Sequence, residues 1–286
     1  MTTLGELHDH LLLDLDGTLY HGPRPIDSAV RALRDVPGPV TYVTNNASRS
    51  PRDVAAALSG MGYAAADEDV VTSAQAAAEL LAAELDPGAS VLVVGAQALE
   101  DELRSRGLVP VRQFADLPVS GGGAPRSSGV AQGHSPQTDW PQLAEAALAI
   151  RAGALWVACN IDPTLPTERG LLPGNGSMVA ALRTATDQDP LVAGKPAAPL
   201  MAAALRRVPA KAPLVVGDRL DTDIAGANAV GLPSLLVLTG VSTVADALAA
   251  EAALRPTYVA ADLSALHQSP EPLLFDAWRA AVNAIG

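Results

Sequence analysis

Short apolar runs recur along the chain, most of them ending in a cluster of Asp, Asn, Ser, Thr or Gly and followed by apolar positions at helical spacing. The runs are Leu11–Leu13, Val40–Val43, Val70–Thr72, Ser90–Val94, Val109–Val111, Ala154–Ala158, Leu214–Val216, Ser234–Leu238 and Thr257–Val259. They are apolar at successive positions, as strands of a parallel sheet buried on both faces must be. Helical spacing is read over 26–36, 52–60, 73–85, 97–106, 141–151, 177–186, 199–208 and 273–285. Strand and helix alternate, which predicts an α/β fold with parallel sheet. Asp86-Pro87-Gly88 interrupts the pattern, and a second α/β series starts beyond it. Tyr20 to Pro25, with two prolines and a glycine, is expected to be irregular, and 159–170 reads as a polar loop. Residues 118–138 hold Gly121-Gly122-Gly123 among serines and prolines, and a loop without regular structure is expected there.

At 286 residues the chain can form one large domain or two modest ones. Hydrophobic residues make up 49% but aromatics only 3%, so Ala, Val and Leu must fill the core. The formal charge of −12 argues against nucleic acid and anionic membrane as partners, both of which require a basic face. Any anion site must therefore be positive locally. A single cysteine, Cys159, excludes an internal disulfide and fits a reducing cytoplasm. No run approaches 18 apolar residues, and no basic stretch followed by an apolar core opens the chain. A soluble, cytoplasmic protein is expected.

The chemistry gathers where the runs end. Ligands of open α/β sheets sit beyond the carboxyl ends of the strands. At the first such end stand Asp14 and Asp16, followed directly by Gly17-Thr18. Two crowded carboxylates repel, and a cation or shared proton would relieve them; a plain acidic turn is the alternative. At the second end, Thr44, Asn45, Asn46 and Ser48 offer the hydroxyl, amide and backbone donors that a phosphate needs, while Ser50-Pro51 reads as a helix cap. Lys195 lies between Gly194 and Pro196 in a chain whose only other lysine is Lys211. After Leu214–Val216 come Asp218, Asp221 and Asp223, three acids in six residues. One can cap the following helix, which Gly231 ends, and at least one is left unexplained. Asn160 and Asp162 follow another strand and read either as an Asx turn or as ligand-facing groups. His21 reads as a solvated loop histidine or a substrate contact.

Asp14-Leu15-Asp16-Gly17-Thr18, Thr44-Asn45, Gly194-Lys195-Pro196 and Gly217-Asp218…Thr222-Asp223, in that order, resemble the four motifs of the haloacid dehalogenase superfamily. Thr-Asn-Asn-Ala-Ser from Thr44 resembles its class IIA, nitrophenylphosphatase-like branch. The resemblance implies a Rossmann-like core over 1–75 and 190–286 with an α/β cap of the C2 type inserted at 76–189. It implies Asp14 as nucleophile and Asp16 as general acid and base, an acid that suits phosphatases and phosphomutases. Thr44, Asn45 and Asn46 would bind phosphate, and Lys195 would act as a point charge on nucleophile and phosphoryl oxygens. Mg²⁺ would be held by Asp14, the Asp16 carbonyl and Asp218, with Asp223 holding a metal water or the lysine. Asp221 is left on the surface.

Asn160, Asp162, Thr167, Glu168 and Arg169 fall in a cap loop that lies near the site entrance in such enzymes, so Asn160, Asp162 and Arg169 are candidates for substrate contact. A homodimer formed through the cap is a further implication. Stretches 44–50, 165–177 and 217–228 resemble actinobacterial glycerol 3-phosphate phosphatases, implying that small ester as substrate. Some of those carry a further C-terminal domain, which this chain is expected to lack. The alternatives are a phosphomutase, a phosphatase for phosphoglycolate, pyridoxal phosphate or a nucleotide, and a non-catalytic protein that binds a phosphorylated ligand.

Overall fold

A computed structural model describes residues 2–117, 128–167 and 169–285. The chain forms two compact units, one of residues 1–44, 51–71 and 195–286, the other of residues 45–50 and 72–194.

The first unit is built on a six-stranded sheet ordered Tyr258–Ala260, Ser234–Val237, Pro213–Gly217, His10–Leu13, Val40–Thr44, Val70–Thr72. His10–Leu13 lies in its middle and pairs in parallel with both neighbours, Leu12 facing Val215 on one side and Thr41 on the other. Such a strand has no solvent face, which is why its sequence is apolar without alternation. Leu11, Leu13, Leu15 and Leu19 pack with Val54, Leu58, Leu214 and Val216 on one side of the sheet. Leu220, Ile224, Leu236, Val259 and Phe275 form a second cluster.

The second unit has its own parallel sheet, ordered Leu191–Val192, Leu155–Ala158, Ser128–Gln132, Ser90–Val94, Val109–Val111. Helices Trp140–Arg151 and Asn175–Thr186 contribute Ala146, Ala149, Val179 and Leu182 to its core. Helix Ser73–Glu84 begins with a reciprocal cap in which Thr72 and Gln75 exchange side-chain and backbone bonds. No described helix is long and apolar enough to cross a membrane.

The structure departs from the sequence expectations at four places. Ser128–Gln132, in the segment expected to be irregular, is a buried strand paired on both sides. Its composition hides it because Gly129 has no side chain for a reason: a Cβ there would stand 2.8 Å from Leu81 and 3.1 Å from Leu85. The rest of that segment, 118–127, lies outside the described residues. Tyr20–His21 and Arg24–Pro25 pair as a minimal hairpin around Gly22, whose φ of +56° a side chain would disfavour. The expected polar loop holds a hairpin, Thr164–Thr167 against Gly170–Pro173. It buries no face, so it leaves no alternating pattern to read. Leu191–Val192 is an edge strand too short to register.

Two buried histidines give the fold an acid limit. His10 is 1% exposed, with Nε2 2.9 Å from the Thr41 hydroxyl. His8 holds the Ala212 carbonyl through Nδ1, and among the described residues neither His10 Nδ1 nor His8 Nε2 has a partner. Burial lowers both below the ordinary histidine value, against the weaker upward pull of Asp9 on each and, for His8, of the Ala212 bond. The unfolded chain then binds more protons than the native one, so stability falls as pH drops below about 6.5. In denaturant titrations, His10→Gln, which removes one titrating site, should show a shallower loss between about pH 6.5 and 5 than the parent chain. Parallel pH profiles would show that His10 takes up its proton alike in the folded and unfolded states.

Candidate active site

The strand His10–Leu13 delivers Asp14 to the carboxyl edge of the first unit's sheet. Asp14 N–H still donates to the Val216 carbonyl at 2.9 Å, extending the parallel pairing by one residue. The chain then turns, with Leu19 N–H donating to the Leu15 carbonyl at 2.7 Å and Gly17 at a φ of +87°. Asp14 is left partly open, its side chain 16% exposed, and Asp16 faces solvent.

Lys195 closes the site from the other half of the unit. Its ammonium donates to Asp14 Oδ1 at 2.5 Å, Asp223 Oδ1 at 2.6 Å and the Val43 carbonyl at 3.2 Å. An ammonium has three donors, and these acceptors draw on them. Burial opposes its charge, but Asp14 and Asp223 more than offset that, so Lys195 is held protonated above its ordinary value.

Asp218 and Asp223 come from the strand end Pro213–Gly217 and the wide turn Leu220–Ile224 behind it. Asp223 packs directly on Gly217, where a Cβ would lie 2.3 Å from its own. Its Oδ2 accepts the Arg219 N–H at 3.1 Å. Asp218 is fully buried; its Oδ2 accepts the Val241 N–H at 2.7 Å, and its Oδ1 has no partner among the described residues. Burial first, and then the charge of Asp14, pushes the carboxyls of Asp218 and Asp223 upward. Asp221 turns away to an exposed ion pair with Arg219 at 2.7 Å, as the sequence reading left it.

Asp14, Asp218 and Asp223 thus bring carboxylate oxygens within 4.8 Å of one another, with one ammonium between them. Three carboxylates against a single cation leave negative charge in excess. The oxygen-only donor set and the orphaned Asp218 Oδ1 fit a hard divalent cation such as Mg²⁺. The exposed carboxylate of Asp16 is not part of that cluster. Thr44, ending the neighbouring strand, is buried at 8% exposure.

The remaining candidates lie in the second unit. Asn45 donates through Nδ2 to Asp162 Oδ2 at 3.1 Å, and its carbonyl accepts from Asn160 Nδ2 at 2.7 Å and the Ser73 hydroxyl at 2.6 Å. Asn160 also accepts the Asp162 N–H at 3.1 Å, the Asx turn that the sequence allowed. Asn46 Oδ1 accepts from Ser48 N–H and Arg49 N–H at 2.8 and 3.2 Å, ordering the turn before the next helix. Arg169 is exposed in the hairpin turn, its N–H on the Thr167 hydroxyl at 3.2 Å, while Glu168 lies outside the described residues.

Sequence reasoning passed over Thr239, Gly240 and Val241, which follow the strand next to Pro213–Gly217. The Thr239 hydroxyl donates to the Gly17 carbonyl at 2.6 Å, and a Cβ on Gly240 would fall 1.9 Å from Asp218 Oδ2. The only signal was position, a polar pair at the carboxyl end of an adjacent strand.

Two family models match the chain, one for haloacid dehalogenase-like hydrolases over residues 11–109 and one described as HAD-hydrolase-like over 192–266. A D-glycerol 3-phosphate phosphatase of Mycobacterium tuberculosis is 59% identical over 273 residues, 96% of this chain and 75% of the relative. An acid sugar phosphatase of Staphylococcus saprophyticus is 36% identical over 259 residues, 88% of this chain and 94% of that one. The crystal structure of the M. tuberculosis glycerol phosphate phosphatase in complex with magnesium superposes with a TM-score of 0.91, covering 96% of this chain and 80% of that one. Matched over residues 11–109 and 192–266, and related across nearly its whole length to a phosphatase, the chain belongs to the haloacid dehalogenase-like hydrolases.

Proposed function

We propose that the chain is a Mg²⁺-dependent phosphatase of small polyol phosphates, glycerol 3-phosphate first among them, with Asp14 as the covalent nucleophile. The observation that carries the reaction is the buried Lys195 ammonium between Asp14 and Asp223, 2.5 and 2.6 Å away, beside an Asp218 oxygen without a partner. The likeness to an M. tuberculosis phosphatase named for that ester supports the substrate. The single Cys159 is buried and its thiol is pushed up to about 12 by burial, so it is inert, and a cytoplasmic location is the compartment we assign.

In the first half-reaction the Asp14 carboxylate attacks phosphorus and the ester P–O bond breaks. Asp16, open to solvent beside it, gives its proton to the departing alkoxide. In the second half a water attacks the phosphorus of the aspartyl-phosphate. Asp16 takes the water's proton, the acyl–oxygen bond to phosphorus breaks, and inorganic phosphate leaves with Asp14 regenerated. Lys195 neutralises Asp14, so a phosphate dianion can approach it, and Asp223 fixes where that ammonium stands. The Thr44 hydroxyl would hold the phosphoryl group. Asp14 and Asp218 would hold Mg²⁺, which when bound supplies positive charge against the phosphoryl oxygens.

Asp14→Asn should remain folded, Lys195 keeping Asp223 as its partner, yet lose kcat by about 10⁴-fold or more, the scale expected when a covalent nucleophile is removed; activity within tenfold of the parent would exclude the covalent route. Asp16→Asn should cost about 10²–10⁴ in rate on glycerol 3-phosphate and much less on p-nitrophenyl phosphate, whose leaving group needs little protonation.

Lys195→Met leaves Asp14 and Asp223 without their counter-charge, so it should lower stability by about 3–5 kcal/mol as well as slowing turnover. Denaturant unfolding checks the first effect, and an unchanged midpoint would mean that the ion pairs do not form in solution. For the ester, kcat/KM is compared among glycerol 3-phosphate, a hexose phosphate, phosphoglycolate and pyridoxal 5′-phosphate, with Mg²⁺ and with chelator. Glycerol 3-phosphate should lead, and chelator should abolish every rate. A competitor ahead by tenfold overturns the ester, whereas full activity in chelator overturns the metal.

A further inference from the structure

Four consecutive residues, Thr239 to Ser242, make four hydrogen bonds to the machinery of the first unit. The Thr239 hydroxyl donates to the Gly17 carbonyl at 2.6 Å, and Val241 N–H donates to Asp218 Oδ2 at 2.7 Å. Ser242 N–H donates to the Asp218 carbonyl at 3.1 Å, and the Ser242 hydroxyl accepts the Leu220 N–H at 3.0 Å. Gly17 and Gly240 flank the Asp218 carboxylate from opposite chain segments. A Cβ on either would come within 2.4 and 1.9 Å of Oδ2 respectively. Asp218 is thereby held by backbone on both sides and by one N–H on one oxygen. Its other oxygen, Oδ1, has no partner among the described residues.

We propose that Thr239 is a positioning residue for the divalent cation: its hydroxyl ties the Asp14–Thr18 turn to the loop that orients Asp218, so that both cation-binding segments keep one spacing. This rests on the reading of the site as a Mg²⁺ centre. The physical reason is geometric. Asp14 and Asp218 come from segments far apart in sequence, and Mg²⁺ requires near-octahedral oxygens at about 2.0–2.1 Å, with little tolerance for drift. Gly17 is conformationally permissive at its φ of +87°, so it cannot hold the turn by stiffness. A hydrogen bond from a β-branched residue, whose χ1 is restricted, supplies the missing constraint. Partners that bond a metal's ligands change affinity by about 10–100-fold when removed; Thr239 bonds the turn that carries Asp14 rather than a ligand itself, so the low end of that range is expected.

The test measures Mg²⁺ uptake by titration calorimetry on the whole chain without substrate, alongside the Mg²⁺ dependence of hydrolysis. Thr239→Val keeps the shape and loses the hydroxyl, and Thr239→Ser keeps the hydroxyl. Thr239→Val should weaken Mg²⁺ binding about tenfold or more and raise the half-saturating Mg²⁺ for activity by the same factor. At saturating Mg²⁺ its kcat should return to within about threefold of the parent, and Thr239→Ser should bind Mg²⁺ within about threefold of the parent. Because Thr239→Val can also loosen the fold, its thermal midpoint is read in chelator; a drop there with unchanged Mg²⁺ affinity overturns the assignment in favour of plain stabilisation. Unchanged affinity without that drop overturns it equally, as does failure of Thr239→Ser to recover binding. Absence of Mg²⁺ uptake by the parent chain would overturn the metal centre itself, an outcome distinct from any in which only the variants fail.

Discussion

A buried ammonium is the constraint on which the first unit depends. Lys195 has a 2% exposed side chain, and a charge removed from water to that extent is tolerated only with close, well-directed partners. Asp14 and Asp223 provide them, and neither carboxylate would be stable in its place without the lysine. The dependence is mutual, so the surroundings of Asp14 and the integrity of the sheet edge are one problem. Arginine is no substitute: its planar fork suits paired oxygens of one carboxylate, whereas Lys195 donates to Asp14, Asp223 and the Val43 carbonyl, which belong to three different residues.

The absence of side chains shapes the site as much as their presence. Gly17, Gly217 and Gly240 each stand where a methyl group would strike Asp218 or Asp223. Backbone is brought close enough to press on the carboxylates, adding to the hold of the Val241 and Arg219 N–H groups. The second unit uses the same device for packing, where Gly129 lets Leu81 and Leu85 lie directly on a strand. With few aromatics, close approach of small residues replaces large rings as the source of contact, and the buried tyrosines Tyr42 and Tyr63 each find a carbonyl for the hydroxyl, those of Ala64 and Leu19.

What could be read from the chain beforehand followed from which signals survive without tertiary context. Strands buried on both faces announce themselves, so His10–Leu13, Ser90–Val94 and Pro213–Gly217 were placed to within a residue or two. Acids at their ends pointed to Asp14, Asp218 and Asp223 because nothing in packing explains a carboxylate there. Ser128–Gln132 was hidden, since its small residues are explained only by the helix above them. The exposed hairpin at 164–173 was hidden for the opposite reason, having no buried face to pattern it. Asn45, Asn46 and Asn160 looked like ligand groups, yet much of their hydrogen bonding within the second unit goes to turns and neighbouring carbonyls. Thr239 and Val241 act through one hydroxyl and one amide, and a backbone N–H has no identity in a sequence.

The ion pair between Lys195 and Asp14 also spans 181 residues, with the whole continuous stretch of the second unit, 72–194, in between. On a ribosome, Asp14 emerges long before its counter-charge exists, and the sheet strand Pro213–Gly217 that flanks it comes later still. The second unit's own parallel sheet is complete by Val192, so its folding can run ahead while the first three strands of the other sheet wait. During that interval the strand His10–Leu13 lacks one of its two neighbours and exposes an apolar edge. Chains that end before residue 195 therefore carry Asp14 with no lysine to neutralise it, and those that end before residue 213 still lack the flanking strand.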